Sequence, residues 1–185
     1  MRRIDLAGEW TVRKAGAKKN LPALVPGCVH ADLLAAREIE DPVRRKNLDG
    51  VGWVAESEWV YEKLFGSEDF SAFDRVVLRF DGLDGRAAVS LNDTVLGRTA
   101  NPFESAEFDV QALIRPGKNK LSVAFESEGG RPADGVRWQA SARGSAGQPV
   151  SPTAGIWRGV SLLAFATIRV QDVMIRQDFS AAGVV

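Results

Sequence analysis

Two separated stretches of sequence decide how this chain is interpreted: VPGCVHADLL at residues 25–34 and TAGIWR at residues 153–158. In the first stretch, Pro26-Gly27 predicts a turn, and the spacing of the apolar residues after it predicts a helix over residues 29–39. In the second stretch, the apolar run that begins at Ile156 predicts a strand that returns to the core. Each stretch alone is typical of many folds, so the fold class is predicted from the segments between them.

The predicted helix has one apolar face. Val29, Leu33 and Ala36 fall on that face, and we expect Asp32 to lie outside it. Asp41-Pro42 predicts the end of the helix, because a residue that precedes proline is disfavoured in the helical region.

The rest of the chain has the pattern of short antiparallel strands. Apolar residues alternate with polar ones in segments that are separated by Gly, Asn, Asp or Pro, as in a sandwich. Asn92-Asp93 between two such segments predicts a tight hairpin turn. Residues 13–24 have no such period, and we expect an exposed connection there. The predicted strands are residues 4–12, 59–65, 75–80, 87–91, 94–96, 120–126 and 156–165, which makes the chain an all-β jelly-roll β-sandwich with one short helix.

Composition excludes several classes of protein. The 24 basic and 24 acidic residues cancel, so we expect no binding to nucleic acid. Residues 1–20 have no apolar signal segment, and no run approaches the ~18 apolar residues of a membrane span. The single cysteine, Cys28, gives no sign of an oxidising compartment. These features predict a soluble, cytoplasmic domain without a membrane partner.

The chemistry-bearing residues do not form a catalytic or metal-binding pattern. His30 is the only histidine and Cys28 the only cysteine, so no tetrahedral metal site is expected. Glu58 and Glu62 flank Trp59 with the period of a strand, which favours a solvated face over a pair of catalytic carboxyls. No glycine-rich loop leads from a strand into a helix, so no cofactor is predicted.

In sequence order, with Trp53 and the segments 59–61 and 80–84 between them, the two stretches resemble the first domain of family 2 glycoside hydrolases. The β-mannosidase-like branch, whose pattern runs Pro-Gly-x-Val-His-x-Asp-Leu, is the most similar. The resemblance implies a galactose-binding-domain-like sandwich over residues 1–166. It also implies that residues 167–185 form a linker and the first strand of a truncated immunoglobulin-like domain.

The resemblance also implies a function. In this family the sandwich precedes an immunoglobulin-like domain and a (β/α)8 barrel, and the barrel carries the two catalytic carboxylates. We therefore expect a non-catalytic carbohydrate-binding or scaffold domain of a retaining β-glycosidase, of β-mannosidase, β-galactosidase or β-glucuronidase type, that hydrolyses terminal β-linked sugars. The expected partners are carbohydrate, through the parent enzyme, and the two other domains, while the chain alone should be inactive. A free-standing carbohydrate-binding module and a purely structural packing domain are the alternatives.

The long loop before residue 153 departs from the family pattern. Arg137, Gly144 and Pro149 match it, but Ser145-Ala146-Gly147 stands where the family has Trp-Asp-Trp. The resemblance implies that the Trp-Asp pair of that sequence contacts the sugar. The mannosidase specificity is therefore not carried over. We expect the loop to be mobile, because the barrel would be its ordering partner.

Four residues are candidates for sugar binding or for contact with the barrel. They are His30, Trp53, Arg137 and Trp138. His30 could instead hydrogen-bond to the loop backbone and fix the turn after Pro26-Gly27. The other tryptophans of the predicted strands, Trp10, Trp59 and Trp157, are expected in the core, where truncation of Trp157 to alanine would cost roughly 3–5 kcal/mol.

Overall fold

Two antiparallel sheets enclose one apolar core in the computed structural model, which describes residues 1–41, 49–127, 153–166, 170, 173–177, 179–180 and 183–184. The predicted β-sandwich is confirmed. The strands are β1 (Arg2–Asp5), β2 (Gly8–Lys14), β3 (Leu21–Val25), β4 (Trp59–Ser67), β5 (Arg75–Phe80), β6 (Ala87–Leu91), β7 (Thr94–Thr99), β8 (Ala106–Asp109), β9 (Gly117–Phe125), β10 (Val160–Phe165), β11 (Phe179–Ser180) and β12 (Gly183–Val184).

The sheet order follows from antiparallel pairing. The smaller sheet has the order β1-β10-β5-β8, and the larger sheet has the order β3-β2-β4-β9-β6-β7. Strands β11 and β12 pair only with each other among the described residues. The helical segments are α1 (Val29–Ala35), a 3₁₀ turn at Asp49–Val51 and α2 (Gly52–Ala55). No helix in the described part of the chain has the length and apolar character needed to cross a bilayer.

The core forms because the strands alternate, as the sequence predicts. In β9 the side chains of Leu121, Val123 and Phe125 are buried, whereas Ser122 and Ala124 are more accessible on the opposite face. Each fully buried side chain of this size contributes roughly 1.5–3 kcal/mol relative to an exposed one. The alternation therefore fixes which face of the larger sheet is turned inward.

The N-terminal segment 4–12 is not the single strand that its alternation predicted. The chain leaves the smaller sheet after Asp5 and enters the larger sheet at Gly8. At the corner, the Asp5 carboxylate accepts a hydrogen bond from the Ala7 N–H, and Gly8 has a φ of 90°. A change of sheet leaves the period of two intact, so the pattern could not reveal it.

The predicted exposed connection over residues 13–24 also contains a strand that the sequence analysis missed. Strand β3 pairs with β2 and lies at the edge of the larger sheet. Pro22 is tolerated there because an edge strand has one side whose N–H groups need no ladder partner. The proline and the neighbouring lysines masked the alternation of buried Ala23 and Val25.

The predicted hairpin turn at Asn92-Asp93 is confirmed. Both residues have positive φ, 49° and 65°, as a two-residue hairpin turn requires. The Asn92 side chain also accepts a hydrogen bond from the Lys120 N–H (3.0 Å), which ties the turn to β9.

Helix α1 ends earlier than predicted. It ends at Ala35, well before Asp41-Pro42. Arg37 has a φ of 60°, the N–H of Arg37 donates to the Leu34 carbonyl oxygen, and the N–H of Glu38 donates to that of Leu33. This is the Schellman pattern, in which glycine usually holds the left-handed position. Because arginine holds it here, the usual sequence signal for a helix end is absent.

The prediction that residues 156–165 form one strand with Trp157 in the core is wrong. Ile156 is fully buried, but β10 begins at Val160, and Trp157 lies only partly buried in the loop before it. Within residues 167–185, where a linker and a first strand were predicted, the described residues 173–177 are not in a strand. The domain boundary after residue 166 stays a prediction.

These positions predict unequal effects of two tryptophan substitutions. Trp59→Ala removes a side chain that is 3% exposed, and we expect the free energy of unfolding to fall by about 3–5 kcal/mol. Trp157→Ala should lower it by clearly less, because part of that ring is already in water. Urea unfolding of both variants measures the difference, and equal losses would contradict the loop position of Trp157.

Candidate functional site

The stretches at residues 25–34 and 153–158 meet at one end of the sandwich. The N–H of Gly27 donates to the Ile156 carbonyl oxygen, and the N–H of Val29 donates to that of Ala154, both at 2.8 Å. Between these bonds, Gly155 exchanges two backbone hydrogen bonds with Asp84, at 2.9 and 3.0 Å. We call residues 27–30, 82–84, 102–103 and 154–158 the motif platform.

The close approach of the two stretches requires glycine at position 155. A Cβ atom on Gly155 would lie 2.6 Å from the Cys28 Cα and 2.6 Å from the Gly27 carbonyl oxygen. These are backbone atoms that are themselves held by hydrogen bonds, so they cannot move aside cheaply. The glycine of the GIWR sequence is therefore explained by backbone contact.

Trp157 occupies the outer part of the motif platform. Its indole N–H donates to the Pro102 carbonyl oxygen (2.9 Å), and a Cβ on Gly82 would lie 2.5 Å from the same nitrogen. Phe103 meets the ring edge-on at 5.9 Å between centroids, and the guanidinium carbon of Arg158 lies 4.0 Å from the ring centroid. The tryptophan is thus fixed by contacts on several sides although it is not in the core.

A buried polar pair supports the turn after Pro26-Gly27. The prediction that Asp32 lies outside the buried face is wrong, since the residue is only 5% exposed. Its carboxylate accepts a hydrogen bond from the Tyr61 hydroxyl (2.6 Å) and one from the Leu24 N–H (3.0 Å). A helical period cannot distinguish a buried, paired carboxylate from an exposed one, because the partners come from β3 and β4.

Burial changes the ionisation of both partners. Desolvation raises the pKa of Asp32, and its hydrogen bonds to Tyr61 and Leu24 oppose that rise. Burial, and next the charge of Asp32, raise the pKa of Tyr61, so the hydroxyl keeps its proton and remains a donor. Removing either partner would leave the other buried without its hydrogen bond.

His30 does not make the hydrogen bond to loop backbone that the sequence analysis considered. Both ring nitrogens are buried, and neither has a hydrogen-bond partner in the described part of the chain. Desolvation lowers the pKa of the imidazole. A neutral ring tolerates this position better than an imidazolium, which would be a charge without an acceptor.

Trp53 lies in the short helix α2. Its ring centroid is 5.8 Å from that of Trp59, and the Lys14 Nζ is 5.7 Å from the Trp53 ring centroid. The residue is 38% exposed, so a sugar would meet a ring that already has two neighbours. The structure does not bring Trp53 into the motif platform by any described contact.

Arg137 and Trp138 lie outside the described residues, as do Ser145-Ala146-Gly147 and the rest of the segment 128–152. Their role as sugar or barrel contacts, and the expected mobility of the loop, stay predictions. Among the described residues, no three His, Cys, Asp or Glu side chains come together as a metal site.

Glu58 and Glu62, which the sequence analysis placed on a solvated face, form no catalytic pair. Glu62 lies 3.6 Å from the Arg13 guanidinium and 3.3 Å from the Lys120 ammonium. Glu58 is exposed.

The acidic residue that does belong to the motif platform is Asp84, which accepts a hydrogen bond from the Thr153 hydroxyl. The sequence analysis quoted the segment 80–84 only for the family resemblance and did not name Asp84 as a candidate, because its partners, Gly155 and Thr153, are remote in sequence.

Gly155→Ala should destabilise the chain far more than an alanine at an open glycine. The added Cβ meets two backbone atoms at 2.6 Å, and overpacking of this kind costs typically about 1–3 kcal/mol. Gly66→Ala in β4 is the matched control, since no atom lies within 4 Å of its added Cβ. Thermal unfolding of both variants measures the effect, and an equal melting temperature would show that the platform does not depend on this contact.

The buried imidazole predicts an acid-sensitive stability. Since the pKa of His30 is lowered in the folded chain, the unfolded chain binds the proton more tightly. The stabilising effect of the neutral ring is therefore complete above about pH 6.5 and is lost as the pH falls below that value. We expect the melting temperature of the wild type to fall between pH 7.5 and pH 5.5, and to fall less in His30→Phe. The raised pKa of Asp32 acts in the opposite direction and is common to both proteins, so equal slopes would rule out this role of His30.

Comparison with known proteins places these features in a family. Residues 10–158 match the family model described as glycosyl hydrolase 2 galactose-binding domain-like. The β-mannosidase of Capra hircus is 38% identical over 125 residues, which are 67% of this chain and 14% of that protein. The β-mannosidase B of Aspergillus terreus is 34% identical over an alignment of 202 residues, which covers 95% of this chain and 24% of that protein.

A solved structure shows the same relationship. The crystal structure of the β-D-mannosidase of Dictyoglomus thermophilum superposes with a TM-score of 0.89 and 30% identity, and the match covers 100% of this chain and 25% of that chain. The chain therefore spans between 14% and 25% of the length of these relatives. The match includes both stretches of the motif platform, and the resemblance to the mannosidase-like branch is confirmed. The chain belongs to the glycosyl hydrolase 2 galactose-binding domain-like family.

Proposed function

We propose that this chain is the N-terminal, non-catalytic domain of a larger β-glycosidase of the β-mannosidase-like branch, which hydrolyses terminal β-linked sugars. The observation that carries the proposal is the match over 100% of this chain to only 25% of the β-D-mannosidase of Dictyoglomus thermophilum. In that protein, three quarters of the sequence lies outside the shared sandwich. We assign the chemistry to that remainder, with an immunoglobulin-like domain and a (β/α)8 barrel as the partners of this domain.

The described acidic residues near the motif platform support a non-catalytic role. Retaining hydrolysis of a glycoside needs two carboxyl groups roughly 5 Å apart, one as acid and base and one as nucleophile. Here Asp81 is ion-paired with Arg79 at 2.7 Å, and Asp84 accepts a hydrogen bond from Thr153. These interactions hold loop backbone and leave each carboxylate engaged with its own neighbour.

The motif platform supports a scaffold role because it fixes a chain segment on rigid backbone. Residues 154–156 are held by four backbone hydrogen bonds to Gly27, Val29 and Asp84. In the sequence, the segment 128–152, which contains Arg137 and Trp138, precedes these residues and is separated from them only by Thr153. We infer that the platform sets the position at which this segment reaches a sugar in the pocket of the parent enzyme.

An assay of the isolated chain tests the proposal. With nitrophenyl β-mannoside, β-galactoside and β-glucuronide we expect no hydrolysis above the buffer rate, because the catalytic carboxylates lie in the remainder of the enzyme. Turnover that survives repurification and disappears when a carboxylate of this chain is replaced would contradict the proposal.

A titration with mannose and galactose, followed by tryptophan fluorescence, tests the alternative of a free-standing carbohydrate-binding module. That alternative requires saturable binding to the isolated chain, and the scaffold role predicts none. Trp53→Phe serves as the control, since Trp53 is an exposed aromatic candidate in the described part of the chain. Saturable binding that Trp53→Phe abolishes would favour the module.

A further inference from the structure

The guanidinium of Arg158 lies on the face of the Trp157 ring and has no hydrogen-bond partner among the described residues. Its guanidinium carbon is 4.0 Å from the centroid of the Trp157 ring, which is van der Waals contact with the ring face. The ring cannot turn freely, since its N–H is bonded to the Pro102 carbonyl oxygen and its edge lies against Gly82. The cation–π contact therefore holds the guanidinium in one region of space.

No described residue forms an ion pair or a side-chain hydrogen bond with this guanidinium. The neighbouring carboxylate, Asp81, is paired with Arg79 at 2.7 Å, and Arg79 also bonds to Glu107 at 2.9 Å. Other arginines of the sandwich, such as Arg75 and Arg98, have carboxylate partners at 3.0 and 2.7 Å. Arg158 is thus held by stacking, while no described residue accepts a hydrogen bond from its five N–H donors.

An apolar surface adjoins the guanidinium. Phe103 packs edge-on against Trp157 and is 52% exposed, which is unusual for a phenylalanine that is already in contact with another ring. Surfaces that bind a partner are enriched in aromatic residues and in arginine. Phe103, Trp157 and Arg158 together have this composition.

We propose that Arg158, with Trp157 and Phe103, forms a carboxylate-binding site on the motif platform. The planar guanidinium matches a carboxylate through two parallel hydrogen bonds, and the Trp157 face fixes the plane from which those bonds are donated. The ligand is a carboxylate group, carried either by an acidic sugar or by an Asp or Glu side chain of a protein segment. The exposed Phe103 ring contacts the apolar part of the molecule that carries the carboxylate.

Nuclear magnetic resonance of the ¹⁵N-labelled chain tests the site with sodium acetate as the probe. The signals to follow are the Trp157 indole N–H, assigned with Trp157→Phe, and the Arg158 Nε–H. We expect both signals to shift saturably with acetate and not with sodium chloride at the same ionic strength. Arg158→Gln should abolish the acetate-dependent shift of the indole signal, and Arg158→Lys should weaken the binding several-fold, because an ammonium cannot bond in two parallel contacts.

Arg37→Gln is the matched control, since Arg37 is an exposed arginine at the end of α1. It should leave the acetate response of the Trp157 signal unchanged. Backbone amide signals of ligand-free Arg158→Gln that match those of the wild type at Gly27, Val29 and Gly155 show that the platform has folded. Equal responses to acetate and chloride, or an acetate response that persists in Arg158→Gln, would overturn the proposal.

Two further ligand pairs distinguish the sources of the carboxylate. D-glucuronate is compared with D-glucose, and N-acetylglutamate methylamide is compared with N-acetylglutamine methylamide. A stronger response to glucuronate than to acetate identifies an acidic sugar, and a stronger response to the glutamate derivative identifies an acidic protein segment. The outcome is independent of the hydrolysis assay, because it measures binding by the isolated chain and involves no bond cleavage.

Discussion

The loop end of the sandwich depends on one short backbone ladder. Gly27 and Val29 bond to one side of residues 154–156, and Asp84 bonds to Gly155 from the other side. The turn after β3, the connection from β5 to β6 and the segment before β10 are thereby joined, although they are far apart in sequence. Backbone hydrogen bonds of this kind each contribute only roughly 0.5–1.5 kcal/mol, but a buried donor that lost its partner would cost more. Losing one bond of the ladder therefore costs more than that bond itself contributes.

Side chains then occupy the space that the ladder leaves. Asp32 and Tyr61 form a buried hydrogen bond beneath the turn, and Trp157 lies against Gly82 at the outer edge. Each contact joins different strands and loops, so both contacts depend on the backbone positions of those elements. The predicted sensitivity of Gly155→Ala follows from this order: a single Cβ at the centre of the ladder separates elements that carry the other contacts.

Much of the fold could be predicted from the sequence, and the misses have physical reasons. The alternation in β4, β5, β6 and β9 predicts the sandwich, since a period of two with one apolar face has few other solutions. The hairpin at Asn92-Asp93 was predicted from residues that tolerate positive φ. The sheet change near Gly8 was missed because it leaves the local period intact. The strand β3 was missed because Pro22 and the neighbouring lysines mask its alternation. Asp32 and Trp157 were misplaced, and Asp84 was not singled out, because their surroundings are set by residues remote in sequence.

The residues that identify the family differ from the residues that determine specificity for a sugar. Gly82 and Gly155 are explained by close contacts with Trp157 and with the backbone of Cys28, and Asp32 is explained by its bond to Tyr61. These residues carry much of the family resemblance, and each contributes to the geometry of the sandwich without offering a group to a sugar. A chain can therefore keep them while the residues that contact the ligand change. We expect the departure at Ser145-Ala146-Gly147 to be of that second kind. Among the described residues, the stacked guanidinium of Arg158 has no ion-pair partner. We therefore expect specificity to depend on such groups and on the segment 128–152, which precedes residues 154–158 of the motif platform in the sequence.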